Sequence, residues 1–321
     1  MFLKLKIVVI GDIILDEYLT VQNYDFCRED CDRFIVKDKQ YYLGGAANVA
    51  AVLSNYGANV TLIGGVGSDV DYQILRKLFI NFSISTDYLS INKELSTNKK
   101  TRLMDFTDKK RCLARFDIQD PNRYKYAYYQ NGILDAINKC DVIIISDYNL
   151  GFLEHYSNAK KLLEEVNKPI FVDQKVNFNQ YNNAVLISPN EEEYSLYCDK
   201  LDIPYDIHSI SNYSKLFEYN KKLQFGLLKL GSKGCRLIEK NLNTLESNLS
   251  RKLDIDVRST VGAGDCVLAT FVMAYLSKMS LSECLELADM AGCVKVMNYG
   301  TYQPTLDDLL QMQKKVFELE I

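Results

Sequence analysis

Short, nearly continuous apolar runs alternate with stretches of helical spacing along most of the chain. Lys4 to Ile10, Val60 to Ile63, Asp141 to Ser146, Pro169 to Val172 and Ala184 to Ile187 are such runs. Each reads as a strand buried on both faces of a parallel sheet. Helical spacing predicts helices from Ala46 to a stop at Gly57, over about Asp69 to Phe79, over Leu153 to Val166, after Ser188-Pro189-Asn190, over Gly264 to Lys278, over Ser282 to Met297 and over about Thr305 to Phe317. No fixed-period repeat or low-complexity linker interrupts this rhythm, which predicts one α/β domain over 1–321. Two regions differ. Over 15–42, Phe34, Val36 and Tyr41 alternate with lysines and aspartates, and over 99–117 a similar pattern turns at Thr107-Asp108-Lys109-Lys110. Both read as exposed antiparallel strand pairs, and together as a small β-sheet lid.

Composition narrows the function classes. The net charge of −4 over 321 residues and the pI of about 5.4 give no electrostatic reason to expect nucleic acid or a membrane as partner, so small diffusible ligands are expected. Nine dispersed cysteines lack paired zinc spacing and fit reduced cytoplasmic thiols. The apolar run Ile7 to Ile10 ends at Gly11-Asp12, too short for a signal or spanning segment. With only His155 and His208 present, histidine metal sites and Ser-His-Asp catalysis are disfavoured, and the chemistry falls to carboxylates, amides and backbone. No Gly-x-x-x-x-Gly-Lys-Ser/Thr run exists, which argues against a P-loop kinase.

The polar residues gather where strands end, and in open parallel sheets ligands bind beyond those ends. Asp12 and Asp16 follow the first strand, Asp147-Tyr148 and Asp173-Gln174-Lys175 follow later ones, and Asn190-Glu191-Glu192-Glu193 opens a helix. Asn190 can cap that helix while Glu193 reaches back or holds hydrated Mg²⁺. Gly44-Gly45 brings backbone close to a ligand, and Asn48 has an amide suited to a sugar hydroxyl or to helix capping. Arg102 and Arg115 alternate with apolar residues; either can clamp a substrate phosphate, or both are solvated edge charges. Leu230-Gly231-Ser232-Lys233-Gly234 is a glycine turn that can receive a nucleotide or close a plain hairpin. Gly262-Ala263-Gly264-Asp265 opens the helix at 264, where free N–H groups and the dipole make an anion site. Read locally, Asp265 is either a dipole partner or a base facing a bound phosphate.

Gly44-Gly45-x-x-Asn48, Asn190-x-x-Glu193 and Gly262-Ala263-Gly264-Asp265, in that order and over nearly the whole chain, resemble the ribokinase-like (PfkB) carbohydrate kinases. Within that family, Gly11-Asp12-x-x-Leu15-Asp16, Gly44 to Ala50, Ser146-Asp147-Tyr148 and Ser188-Pro189-Asn190 are most similar to the kinase domain of heptose 7-phosphate kinases. The resemblance implies a three-layer α/β/α sandwich with a mostly parallel central sheet and a β-sheet lid. It implies Gly262, Ala263 and Gly264 as the anion hole for the transferring phosphoryl group and Asp265 as base. Asp12, Asp16, Gly44, Gly45, Asn48 and Asp147 would hold the sugar, with Arg102 or Arg115 on its phosphate. Asn190 and Glu193 would organise the Mg²⁺ of ATP, Glu193 through water, while Lys229, Gly231, Gly234, Asn298 and Gly300 would hold the nucleotide. The implied reaction is ATP-dependent phosphorylation of the anomeric hydroxyl. Independently of the resemblance, the apolar side chains on the two exposed strand pairs suggest a homodimer in which the lids of two copies clasp each other.

Several residues depart from the pattern. Ser259 stands where the family has an acid, which bears on nucleotide and monovalent-cation binding. Leu150 stands where heptose kinases have lysine, Gln174 where they have proline, and Asp105-Phe106 where serine and arginine are usual in the lid. Two alternatives therefore stay open: a PfkB kinase of another sugar, sugar phosphate or nucleoside, and a kinase-like sugar-binding regulator that has lost turnover.

Overall fold

The computed structural model describes residues 2–24, 31–108, 111–119, 133–155, 166–175, 181, 183–218, 220, 222–253 and 255–319. In chain order these carry β1 (Lys6–Gly11), β2 (Ile13–Tyr24), β3 (Arg33–Gly45), α1 (Ala46–Asn55), β4 (Asn59–Ile63), β5 (Gly65–Gly67), α2 (Val70–Asn81), β6 (Ser90–Asn92), β7 (Lys99–Asp105), β8 (Cys112–Ile118), α3 (Ile133–Lys139), β9 (Val142–Asp147), α4 (Phe152–His155), β10 (Ile170–Gln174) and β11 (Leu186–Ile187). They continue through α5 (Glu191–Lys200), α6 (Ile210–Glu218), β12 (Phe225–Lys229), β13 (Cys235–Glu239), β14 (Thr244–Ser247), α7 (Leu249–Lys252), α8 (Ala263–Leu276), α9 (Leu281–Val296) and α10 (Leu306–Leu319). Of the helix expected over Leu153 to Val166, only α4 falls within the described residues.

Side-chain alternation along the central strands builds three layers. In β1, Ile7 and Val9 join one apolar cluster with α1, α8, α9 and α10, while Val8 and Ile10 join a second with α3, α5 and α6. The sheet between these clusters has eight strands among the described residues, in the order β14-β13-β12-β11-β10-β9-β1-β4. Pairing is parallel from β4 across to β12 and antiparallel for β13 and β14. From β1 the chain builds one way to β4 and later the other way through β9, so the order reverses at the β1/β9 boundary. That is where an open parallel sheet presents a crevice at its strand ends.

Gly11 ends β1 and Ile13 starts β2, which leaves the main sheet for a second one of order β3-β2-β7-β8. Its outer pairs are antiparallel hairpins, and the two hairpins are joined by a parallel β2–β7 pairing from Leu15↔Lys99 to Val21↔Asp105. The chain returns to the main body at Gly45, whose φ of 58° and close approach exclude a side chain: a Cβ there would stand 2.3 Å from the Asp12 carbonyl oxygen.

Helix α8 is apolar on every side, with Cys266 to Ala274 all buried. Phe271 is fully buried, its ring 6.5 Å from that of Phe225 and 6.3 Å from Tyr275. Phe271→Ala is expected to lower the unfolding free energy by about 3–5 kcal/mol in denaturant melts. A loss below about 1 kcal/mol would show that α8 is not anchored through this ring.

Candidate active site

The first turn of α8 lies against the carboxyl ends of β10 and β12, which carry Asp173 and Lys229, and meets Tyr148 just past β9. Gly262 caps the helix at a φ of 82°, and a Cβ there would sit 2.7 Å from both Asn48 Nδ2 and Thr301 Cγ2. Only glycine supplies that conformation together with that clearance. The Ala263 N–H donates to the Thr260 carbonyl at 3.2 Å, whereas among the described residues those of Gly264 and Asp265 have no backbone acceptor. These two line a cleft of about 670 Å³. They are the donors the helix start offers to an anion.

Asp265 is buried to 2% exposure. Asn48 Nδ2 donates to its Oδ2 at 2.7 Å and the Tyr148 hydroxyl to its Oδ1 at 3.0 Å. Gln303 Nε2 in turn donates to Asn48 Oδ1 at 2.9 Å, which orients the amide so that its NH₂ faces the acid. Burial, and then the Asp173 carboxylate, push the Asp265 pKa up to about 6 against the Asn48 hydrogen bond. That value leaves the acid ionised at neutral pH and close to the operating range of a proton acceptor.

Two lysines and two carboxylates face it. Lys229 Nζ lies 2.8 Å from Asp173 Oδ2, and Lys175 Nζ lies 2.6 Å from Glu193 Oε1 and 3.7 Å from Asp173 Oδ1. Burial opposes both partners' charges, yet the lysines hold Asp173 below the usual carboxylate range, and Asp173 with Glu193 holds Lys175 above the usual lysine value. Tyr148 lies between Lys175, 4.8 Å from its ring centroid, and Lys100 of β7, at 5.0 Å. Burial and the nearby Asp265 keep the phenol protonated.

On the other side, Asp12 accepts from the backbone N–H groups of Tyr148, Leu150 and Phe152 at 2.8, 3.1 and 3.3 Å. Burial, then Asp147, raise its pKa to about 7. Asp16 accepts from Arg102 at 2.5 Å and from Thr301 Oγ1 at 3.3 Å, and packs so tightly on Gly44 that a Cβ there would stand 2.4 Å from its Oδ2. Asp147 accepts from the Asn149 N–H and the Tyr181 hydroxyl at 2.9 and 2.7 Å.

About half of the expected site residues meet at one cleft. Gly262, Ala263, Gly264, Asp265, Asn190, Lys229, Gly231 and Gly234 line the cleft, with Asn48 bonded to Asp265. Of the rest, three are engaged elsewhere. Arg115 projects from β8, half exposed, and pairs with Asp117 on its own strand. Asn298 and Gly300 lie outside the cleft: Asn298 Nδ2 closes α9 on the Val294 carbonyl at 2.8 Å, and Gly300 packs on the Tyr42 ring. Gly292, Cys293 and Val296 of α9 line the cleft instead. Tyr148, Asp173 and Lys175, expected only as polar residues at strand ends and given no role, complete the site together with Gln303, which was not singled out. The first three share one sequence signal, polar residues directly after an apolar strand; Gln303 has none.

Asn190 and Glu193 form a reciprocal cap, with both bonds at 2.8 Å. Glu193 thus has one oxygen on a backbone N–H and the other on Lys175. Among the described residues no cluster of three or more His, Cys, Asp or Glu makes a cage. This donor set fits a hydrated ion that arrives with its ligand better than a resident metal.

Residues 4–308 match the pfkB family carbohydrate kinases. The chain belongs to this family. It is a carbohydrate kinase, a phosphotransferase with an alcohol acceptor. Among curated PfkB relatives it is 28% identical to the bifunctional protein HldE of Aliarcobacter butzleri over 98% of its own length and 65% of that protein's. It is 30% identical to that of Helicobacter pylori over 98% and 68%. The chain thus spans about two thirds of the length of these relatives. Its fold is that of Arabidopsis thaliana ribokinase complexed with ribose and ATP, with a TM-score of 0.75 at 20% identity over 97% of this chain and 99% of that one. Phosphofructokinase-2 from Escherichia coli, in complex with substrates and products, also gives 0.75, at 16% identity over 98% and 100%.

Asp265→Asn keeps the hydrogen bond to Tyr148 but removes the proton acceptor. Phosphoryl transfer is expected to fall by at least about 10²-fold while ATP affinity, read by calorimetry, stays near the wild-type value. Unchanged turnover would remove Asp265 from this role.

Proposed function

We propose that this PfkB kinase transfers the γ-phosphoryl group of ATP to the anomeric hydroxyl of D-glycero-β-D-manno-heptose 7-phosphate, giving the 1,7-bisphosphate, a step of the ADP-heptose route to lipopolysaccharide precursors. The observation that carries the transfer chemistry is the buried Asp265 carboxylate directly beside the unbonded Gly264 and Asp265 N–H groups in one cleft. A sugar hydroxyl hydrogen-bonded to Asp265 would stand beside a phosphoryl group held on those amides, the neighbourhood that in-line transfer needs. The hydroxyl oxygen forms the new O–P bond, the bond from the γ-phosphorus to the β–γ bridging oxygen breaks, and ADP leaves. The hydroxyl proton passes to Asp265. Such a base contributes ~10² to 10⁴ in rate, or about 3 to 5 kcal/mol of barrier, and positioning and charge neutralisation supply the rest.

ATP fits the glycine-lined side of the cleft, with its phosphates toward Lys229, Lys175 and the start of α8. Mg²⁺ neutralises phosphate charge when bound, and Asn190 and Glu193 would hold it through water. Asp12, Asp16, Gly44, Gly45, Asn48 and Asp147 form the sugar side, under the β3-β2-β7-β8 sheet as lid. The half-exposed Val36, Phe116 and Ile118 on that sheet support its pairing with a second copy in a homodimer. Among the described residues no helix is long and apolar enough to cross a membrane, and a cytoplasmic site of action goes with ATP as donor.

The heptose assignment is supported by the likeness of the strand-end motifs to heptose kinases. A second reading, a PfkB kinase for another sugar, is favoured by one observation: Arg102 and Arg115, one or the other of which was expected on a 7-phosphate, both already hold carboxylates, Arg102 that of Asp16 and Arg115 that of Asp117. A panel of sugars with ATP and Mg²⁺, with products read by ³¹P NMR, separates the two. Heptose 7-phosphate is expected to give a new anomeric phosphate resonance at the highest kcat/KM. Preference for an unphosphorylated sugar or a nucleoside would establish the second reading, and sugar binding without ADP release from any of them would point to a regulator.

A further inference from the structure

Lys295 is the penultimate residue of α9, and its side chain is wholly buried. Its Nζ donates to the Ser259 carbonyl at 2.9 Å. Among the described residues no carboxylate lies within ion-pair distance of it. Taking an ammonium out of water without a counter-ion is costly, and burial brings the Lys295 pKa down to about 8. A lysine in the last turn of a helix interacts favourably with the helix dipole, but the dipole does not require its burial beneath a loop.

The neighbouring residue shows what the contact does. The Val296 carbonyl accepts from the N–H groups of Arg258 and Ser259, at 2.7 and 3.2 Å. Two successive residues of α9 therefore hold both backbone groups of Ser259. Three residues later comes Gly262, and with it the amides that face the cleft. The charge also acts at the site itself, since Asp16 and Asp265 are among the groups that stabilise the ammonium, with Arg102 opposing them.

We propose that Lys295 is a positioning residue for phosphoryl transfer, a fixed internal cation that holds the 259–264 segment and takes the place of a dissolved monovalent cation. The proposal rests on the kinase reading of the cleft. It predicts a kinase indifferent to potassium, because the carbonyl that a dissolved cation would gather is already on an ammonium.

The test compares wild type, Lys295→Met and Lys295→Ala in potassium, ammonium and choline chloride at equal ionic strength. Wild-type kcat is expected to stay within about twofold across the three salts. Lys295→Met keeps the volume without the charge, and its kcat is expected to fall ~10- to 100-fold with KM for ATP little changed and no rescue by any salt. Lys295→Ala opens space, and potassium or ammonium, but not choline, is expected to restore kcat and to raise its melting temperature. A wild-type enzyme that needs potassium, or a folded Lys295→Met with wild-type kcat, would overturn the proposal. Should both variants fail to fold, the wild-type salt series decides. Absence of sugar-dependent ADP release from wild type in every salt counts against the kinase reading alone; Lys295 is then judged by melting, where a potassium-specific stabilisation of wild type overturns it and one confined to Lys295→Ala supports it.

Discussion

Burial of one carboxylate at the start of α8 is the constraint on which the rest of the site depends. An ionised acid out of water must be met by donors and cations, and no single element can supply them around Asp265. Asn48 comes from α1, Tyr148 from the end of β9, Lys175 from the end of β10 and Lys229 from the end of β12. Their convergence requires β1, β9 and β10 to be neighbours and the crossovers to lie on the correct faces.

Charge balance explains why the site suits a polyanion. Asp173 and Glu193 neutralise Lys175 and Lys229 within the free protein, so the cations are held in place without an exposed positive patch. Asp173 also acts on Asp265 across the cleft and contributes to its raised pKa. Phosphate oxygens entering beside the lysines add negative charge near both acids, and the lysines are the groups able to offset it. Lys100 reaches the Tyr148 ring from the lid sheet, which links the position of that sheet to the residue bonded to Asp265.

The fold was largely legible because its evidence is local. Uninterrupted apolar strands, helical spacing and glycines at Gly45 and Gly262 each follow from burial or backbone geometry, and the motif order carried the family. What stayed hidden depends on contacts between distant segments. The parallel β2–β7 pairing joins hairpins about 80 residues apart, and nothing within either strand encodes its orientation. Arg102 alternates with apolar residues as an edge charge would, yet it is buried on Asp16 and over the Tyr18 ring. Asn298 and Gly300 looked like ligand-facing turn residues because an amide and a glycine serve helix termini and ligands alike. Lys295 read as an ordinary last-turn lysine, and only the position of Ser259 beneath α9 gives it a different meaning.

The claim that a buried, environment-tuned Asp265 is the proton acceptor is tested most directly by the pH dependence of kcat/KM for the sugar, which reports ionisations of the free enzyme. Burial and Asp173 place the Asp265 pKa at about 6, so an acidic limb with its midpoint there is expected, activity being lost as the carboxylate protonates and regained above it. A profile that stays flat down to about pH 4, near the ordinary carboxylate value, would contradict it.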